Sequence, residues 1–103
     1  MSNLEIAIML DETNLKVIIQ KANEKISSRH WKVYEDNIKI FGNYVRLLFQ
    51  AKSLVDFGIF DDQNTIYGIG IFLIHIDTHE FHDVTCIEEV QETARRLNEN
   101  ESL

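Results

Sequence analysis

Leu15, Ile18, Ile19, Ala22 and Ile26 recur at three- and four-residue intervals, the spacing that lines one face of an α-helix. The pattern predicts a helix beginning near Asp11 to Asn14, with Asp11 or Thr13 as its cap and Glu12 near its positive end. Ser27-Ser28-Arg29 lets it stop. Leu4 to Leu10 fits either a short strand or an early helical turn.

The middle of the chain changes period. Trp31 to Glu35 alternates large apolar with polar residues, as a half-exposed strand does. Glu35-Asp36-Asn37 predicts a turn, and Ile38 to Phe41 a short strand ending at Gly42-Asn43. Val45, Leu47 and Phe49 share one alternating face, so Tyr44 to Ala51 is expected as a strand, with a short helix as its rival. Leu54 to Gln63 mixes Val55, Phe57, Ile59 and Phe60 with Asp56, Asp61 and Asp62, and is expected as a loop or edge excursion. Ile66 to Ile76 is apolar on both faces, which predicts a central strand covered on both sides. Asp77 to Glu80 turns the chain, and Phe81 to Val84 returns antiparallel. Thr85-Cys86-Ile87-Glu88 has the form of a capping box. It opens a last helix with the apolar stripe Ile87, Val90, Ala94 and Leu97.

Helix, antiparallel strands and helix, in that order, predict an α+β domain: a sheet with an N-terminal and a C-terminal helix packed on it. No proline, repeat or low-complexity stretch marks a linker, so residues 1–98 are expected as one domain and 99–103 as a frayed tail.

Composition narrows the function class. At 103 residues the chain suits one core. Ten basic and seventeen acidic residues leave a net charge of −7, which repels nucleic acid and speeds encounter with basic partners. The apolar run from Ile69 to Ile76 is far shorter than the ~20 residues a membrane helix needs. Met1 to Leu10 lacks the basic residues of a signal peptide, and Cys86 is the sole cysteine, so a reduced cytoplasmic protein is expected.

His75, Asp77, His79, Glu80, His82, Asp83 and Cys86 fall within twelve residues and include metal-binding side-chain types. A two-residue turn at Thr78-His79 would set His75 opposite His82 and Asp77 opposite Glu80, a possible four-ligand site. Such turns require positive φ, which β-branched Thr78 resists. A four-residue loop, Ile76 to His79, with His79 alone left-handed, pairs His75 with Glu80 and Leu73 with His82 and scatters the cluster. That register is preferred and no metal is assigned. Cys86 has Glu88 and Glu89 beside it, which oppose thiolate formation. Gly68-Ile69-Gly70 lies within a strand pattern and forms no phosphate loop; close packing or a bulge explains it better. With no catalytic or cofactor constellation, the expectation is a non-catalytic protein-binding domain, monomeric or homodimeric. Its candidate contact residues are Glu35, Asp36, Tyr44, Asp56, Asp61, Asp62 and Tyr67, acidic and aromatic groups suited to a basic partner. Trp31 is assigned to the core rather than to this surface. The alternatives are a metal-binding protein or hydrolase using His75 and His82, and a self-associating adaptor.

Ala22-Asn23, Trp31-Lys32-Val33, Phe49-Gln50-Ala51-Lys52, the stretch Phe72 to His82, Thr85 and Glu88-Glu89 follow one another in an order that resembles the immunity protein 35 (YrhB-like) family of bacterial polymorphic toxin systems. The resemblance covers about residues 12 to 97. His75 stands where that family's turn has Asp, His79 where it has Gly, and Tyr67-Gly68-Ile69-Gly70 replaces a Gly-Asn-Gly-Pro lead-in. The resemblance implies an inhibitor that neutralises a cognate secreted toxin; the acidic charge points to a basic toxin, and no cofactor is expected.

Overall fold

The computed structural model describes residues 11–66 and 68–101. Leu4 to Leu10, Tyr67 and the last two residues of the expected tail lie outside them.

Helix α1 (Glu12–Ile26) starts where its cap predicts: Asp11 is extended and its carboxylate accepts the Asn14 amide at 2.8 Å. A 3₁₀ turn over Ser27–Arg29 ends at His30, whose left-handed backbone reverses the chain into β1 (Trp31–Val33). Next come β2 (Lys39–Phe41), β3 (Tyr44–Ala51), a six-residue helix α2 (Lys52–Phe57), β4 (Gly70–His75) and β5 (Phe81–Val84). A 3₁₀ turn over Ile87–Glu89 leads into α3 (Val90–Glu101). The sheet is antiparallel throughout. β4 lies between β3 and β5, while β1 and β2 share the other edge of β3, pairing with its C-terminal and N-terminal ends respectively.

Two cores sit on opposite faces of this sheet. Ile18, Ala22 and Ile26 of α1 pack on Val33, Val45, Leu47, Phe49, Phe72 and Ile74. Val90 and Ala94 of α3 pack on Tyr44, Leu48, Ile71, Leu73 and Val84. Every residue of β3 is therefore buried, not only the alternating set Val45, Leu47 and Phe49. The α+β architecture is the expected one, with a helix on each face.

The differences are local, and each has a side chain behind it. The expected loop from Leu54 begins instead as α2, which Gly58 ends in a left-handed cap with its amide on Leu54 O. The expected strand Ile66 to Ile76 pairs only from Gly70 to His75. Gln50 takes over the earlier backbone groups: its Nε2 donates to Ile66 O (3.0 Å) and Gly68 O (2.9 Å), and its Oε1 accepts Ile66 N (2.6 Å). The capping box does not form. The Glu89 amide bonds Cys86 O, so the cap moves one residue on to Cys86, without a side-chain hydrogen bond, and Thr85 is left exposed. Ile87, expected in the buried stripe, is 43% exposed. Glu99 to Glu101, expected as tail, continue the helix. Asn98 donates to Phe41 O and accepts from the Asn43 amide, fastening the end of α3 to the β2–β3 turn.

Candidate protein interface

Among the described residues, the most exposed large apolar side chains lie at the C-terminal end of α2 and just after it. Phe57 is 76% exposed, Phe60 67% and Ile59 59%. Together with Gly58 they form a four-residue apolar run between Asp56 and Asp61-Asp62. Neighbouring large side chains exposed to water are what distinguish a contact surface from ordinary surface scatter.

The loop is held at both ends. Ser53 Oγ donates to Ile59 O at 2.9 Å, and the Ile59 amide donates to Ser53 O, folding the loop back on α2. On the far side Asp61 organises a tight turn. Its carboxylate accepts the Asn64 side-chain amide at 2.8 Å and the Gln63 and Asn64 backbone amides, and those bonds hold it below the usual carboxylate range. Trp31 fastens the turn to the sheet by donating Nε1–H to Asn64 O at 2.7 Å. That ring packs at 5.6 Å on Phe49 with the Arg29 guanidinium over it, so Trp31 is a half-buried prop beneath the loop.

The structure separates the acidic candidates. Asp56 is paired with Lys32 at 2.6 Å, Asp61 serves its own turn, and Asp62 is exposed. Phe57 and Asp61 share a hollow with His30, Lys52, Ser53 and Asn64, so the rim carries both signs of charge. Glu35 borders a shallow groove along α1 with Lys16, Gln20 and Glu24, and Asp36 a separate hollow with Tyr34, Leu48 and Ile69. Tyr44 is a correction. It is 3% exposed, and its hydroxyl donates to Glu101 at 2.9 Å, because the strand expected to show one face is covered on both. Burial first, and then the Glu101 bond, push its phenol up to about 12. Tyr67 lies outside the described residues.

The hairpin adopts the four-residue loop. Leu73 faces His82, Ile74 faces Phe81, the His75 amide bonds Glu80 O, and His79 has φ of 63°. His75 and His82 flank the Tyr44 ring instead of facing each other. His75 Nε2 lies 2.7 Å from Glu101, and His82 Nε2 lies 3.7 Å from Glu80 with no hydrogen bond among the described residues. Asp77 and Glu80 are exposed. Among the described residues no three His, Cys, Asp or Glu side chains gather so as to hold a metal ion. The Cys86 thiol is pushed up by its Glu88 hydrogen bond, then by burial and by Glu89, against a nucleophilic role. Among the same residues no helix is long and apolar enough to cross a membrane.

No family model, curated protein or solved structure matches this chain. The surface residues that sequence reasoning passed over are Phe57, Ile59 and Phe60. Their signal was present: three large apolar side chains in a four-residue run bounded by Asp56 and Asp61-Asp62.

Proposed function

We propose that this chain is a non-catalytic protein-binding domain whose contact surface centres on Phe57, Ile59 and Phe60. The observation that carries it is the joint exposure of those side chains on a loop pinned at Ser53 and at the Asp61 turn. A pinned loop loses little entropy on docking, and each Phe that a partner fully buries contributes about 1.5–3 kcal/mol.

The partner we propose is a basic protein with an apolar cleft. The net charge of −7 supports the sign. Size supports the cleft. Large side chains bury about 150–250 Å² each, so three fall short of the ~800 Å² per partner of a standard interface. Loop-to-loop contact between two copies is therefore too small, whereas insertion into a cleft brings surrounding surface into contact. The family resemblance supplies the specific version: neutralisation of a secreted toxin by occupying its cleft, in the cytoplasm of the cell that makes it.

The test is a tagged-protein capture from source-cell lysate at low and high salt, run beside Phe57→Ser/Phe60→Ser and Glu35→Gln/Asp36→Asn variants. The expected result is one basic protein bound stoichiometrically, weakened by salt and lost at least tenfold with the Phe pair. Equal recovery by the Phe pair would move the contact surface elsewhere.

A further inference from the structure

His75 ends β4, and both of its ring nitrogens are occupied. Nδ1 accepts the backbone N–H groups of Asp77 (3.0 Å) and Thr78 (3.2 Å), the amides that close the β4–β5 turn. Nε2 lies 2.7 Å from a Glu101 carboxylate oxygen. A nitrogen that accepts N–H carries no proton, so the ring is the neutral Nε2–H tautomer and donates to Glu101. The residue is 9% exposed, so water is poorly placed to substitute.

The turn's tip repeats the logic. His79 Nδ1 lies 2.9 Å from Lys21 Nζ, and its Nε2 lies 2.7 Å from Asn14 Oδ1. An ammonium has only protons to give, so Nδ1 is again the acceptor and Nε2–H the donor. Asn14 completes the dock by donating its side-chain amide to Ile76 O at 2.8 Å. The turn is thus tied to α1 through His79 and Asn14, and closed on itself through His75.

We propose that the β4–β5 turn is an acid-released latch, in which protonation of His75 and His79 at Nδ1 opens the turn and undocks its tip from α1. A proton on His75 Nδ1 faces two amide protons, and one on His79 faces the Lys21 ammonium, so each addition replaces an attraction with a repulsion. His75 is faced by Glu101 from α3 and by the Tyr44 ring from β3, with His82 of β5 on another side of that ring; Asp77 and Glu80 of the turn meet it through their backbone, and both are exposed. Glu101 gives the imidazolium a counter-charge at Nε2, so the charged ring keeps its tie to α3 while it loses the turn. Histidine changes charge between about pH 5 and 8, whereas an Asp in the same place would accept both amides down to about pH 4.

Nuclear magnetic resonance of the full chain tests this, following the His75 and His79 ring nitrogens and the Asp77 and Thr78 amides from pH 8 to 5. The expected result is that both amides shift with the midpoint of the His75 ring. Their exchange protection, relative to an unstructured peptide, should fall at least tenfold. His75→Asn offers an amide oxygen that does not titrate, and should hold both amides still across that range. Should that variant not fold, His79→Gln should keep the His75 transition while the Lys21 and Asn14 side-chain signals lose theirs. Amides that stay fixed while the His75 ring titrates, a His75 ring that stays neutral to pH 5, or an unchanged transition in His75→Asn would each overturn the latch.

Discussion

The Phe49 ring lies across Gly70, its partner on β4, so closely that a Cβ at residue 70 would sit 2.3 Å from it. The ring has little room to retreat, being stacked at 4.6 Å on Phe72 and flanked by Trp31. Gly70→Ala is expected to destabilise the fold by about 1–3 kcal/mol, the usual effect of overpacking, read as a lower urea midpoint at unchanged slope. Gly42→Ala should be costly for a different reason. Its φ is +63°, and the new Cβ would come within 2.6 Å of the Asn98 side chain.

Gln50 is 3% exposed and uses both ends of its amide to hold Ile66 and Gly68 beside β3. Gln50→Leu keeps the bulk and strands those backbone groups. A stability loss of about 2–4 kcal/mol is expected in thermal or urea unfolding, on the basis of ~1–3 kcal/mol for each unsatisfied buried group. Gln50→Glu should be no better, because its carboxylate would face the Ile66 and Gly68 carbonyl oxygens without a donor.

Phe57→Ser and Phe60→Ser should leave stability within about 0.5 kcal/mol of the parent, since both rings already face water. Leu47→Ala, at a fully buried position between α1 and the sheet, should cost about 2–5 kcal/mol. A large loss from the two Phe changes in urea unfolding would mean that the loop belongs to the core and would remove the basis for the interface.

The carboxyl of Glu101 is held below its ordinary range by bonds from Asn43, Tyr44 and His75. A carboxylate depressed in the folded state stabilises it above the unfolded value of about 4.3, and that contribution is lost as pH falls through the folded value. Glu101→Gln should therefore melt below the parent at pH 7, and the gap should close at lower pH. Tyr44 has the opposite sign. Its phenol is raised to about 12, so the stabilisation is complete below pH ~10 and lost as pH rises through 12. Tyr44→Phe should remove that alkaline step from a plot of melting temperature against pH.

Where the reading of the chain succeeded and failed follows from how far each determinant acts along it. The hairpin register was legible because the objection to a two-residue turn is local: Thr78 resists positive φ, and only His79 adopts it. The departures from the resembled family's turn also make sense in the structure. His75 supplies an acceptor where an Asp would, and His79 takes the left-handed position that suits Gly. The missed features depend on partners far off in sequence. Tyr44 was offered as a surface anchor because nothing near it reveals that α3 covers that face and that Glu101 meets its hydroxyl. The last turn of α3 was taken for a tail because its polar residues have no local reason to stay ordered; their reason is the β2–β3 turn.

By itself, then, the sequence determined the order of the strands and the two long helices, the two-faced burial of β4 and the α+β class, because hydrophobic period and turn chemistry act within a few residues. Only the tertiary structure decided which side chains remained outside. Phe57, Ile59 and Phe60 are as apolar as Phe49 and Phe72, yet they stand 59–76% exposed while Phe49 and Phe72 are buried. The same is true of His75 and Glu101, whose pairing joins residues from distant elements on one end of the sheet. Burial is a property of neighbours, and neighbours are supplied by the fold.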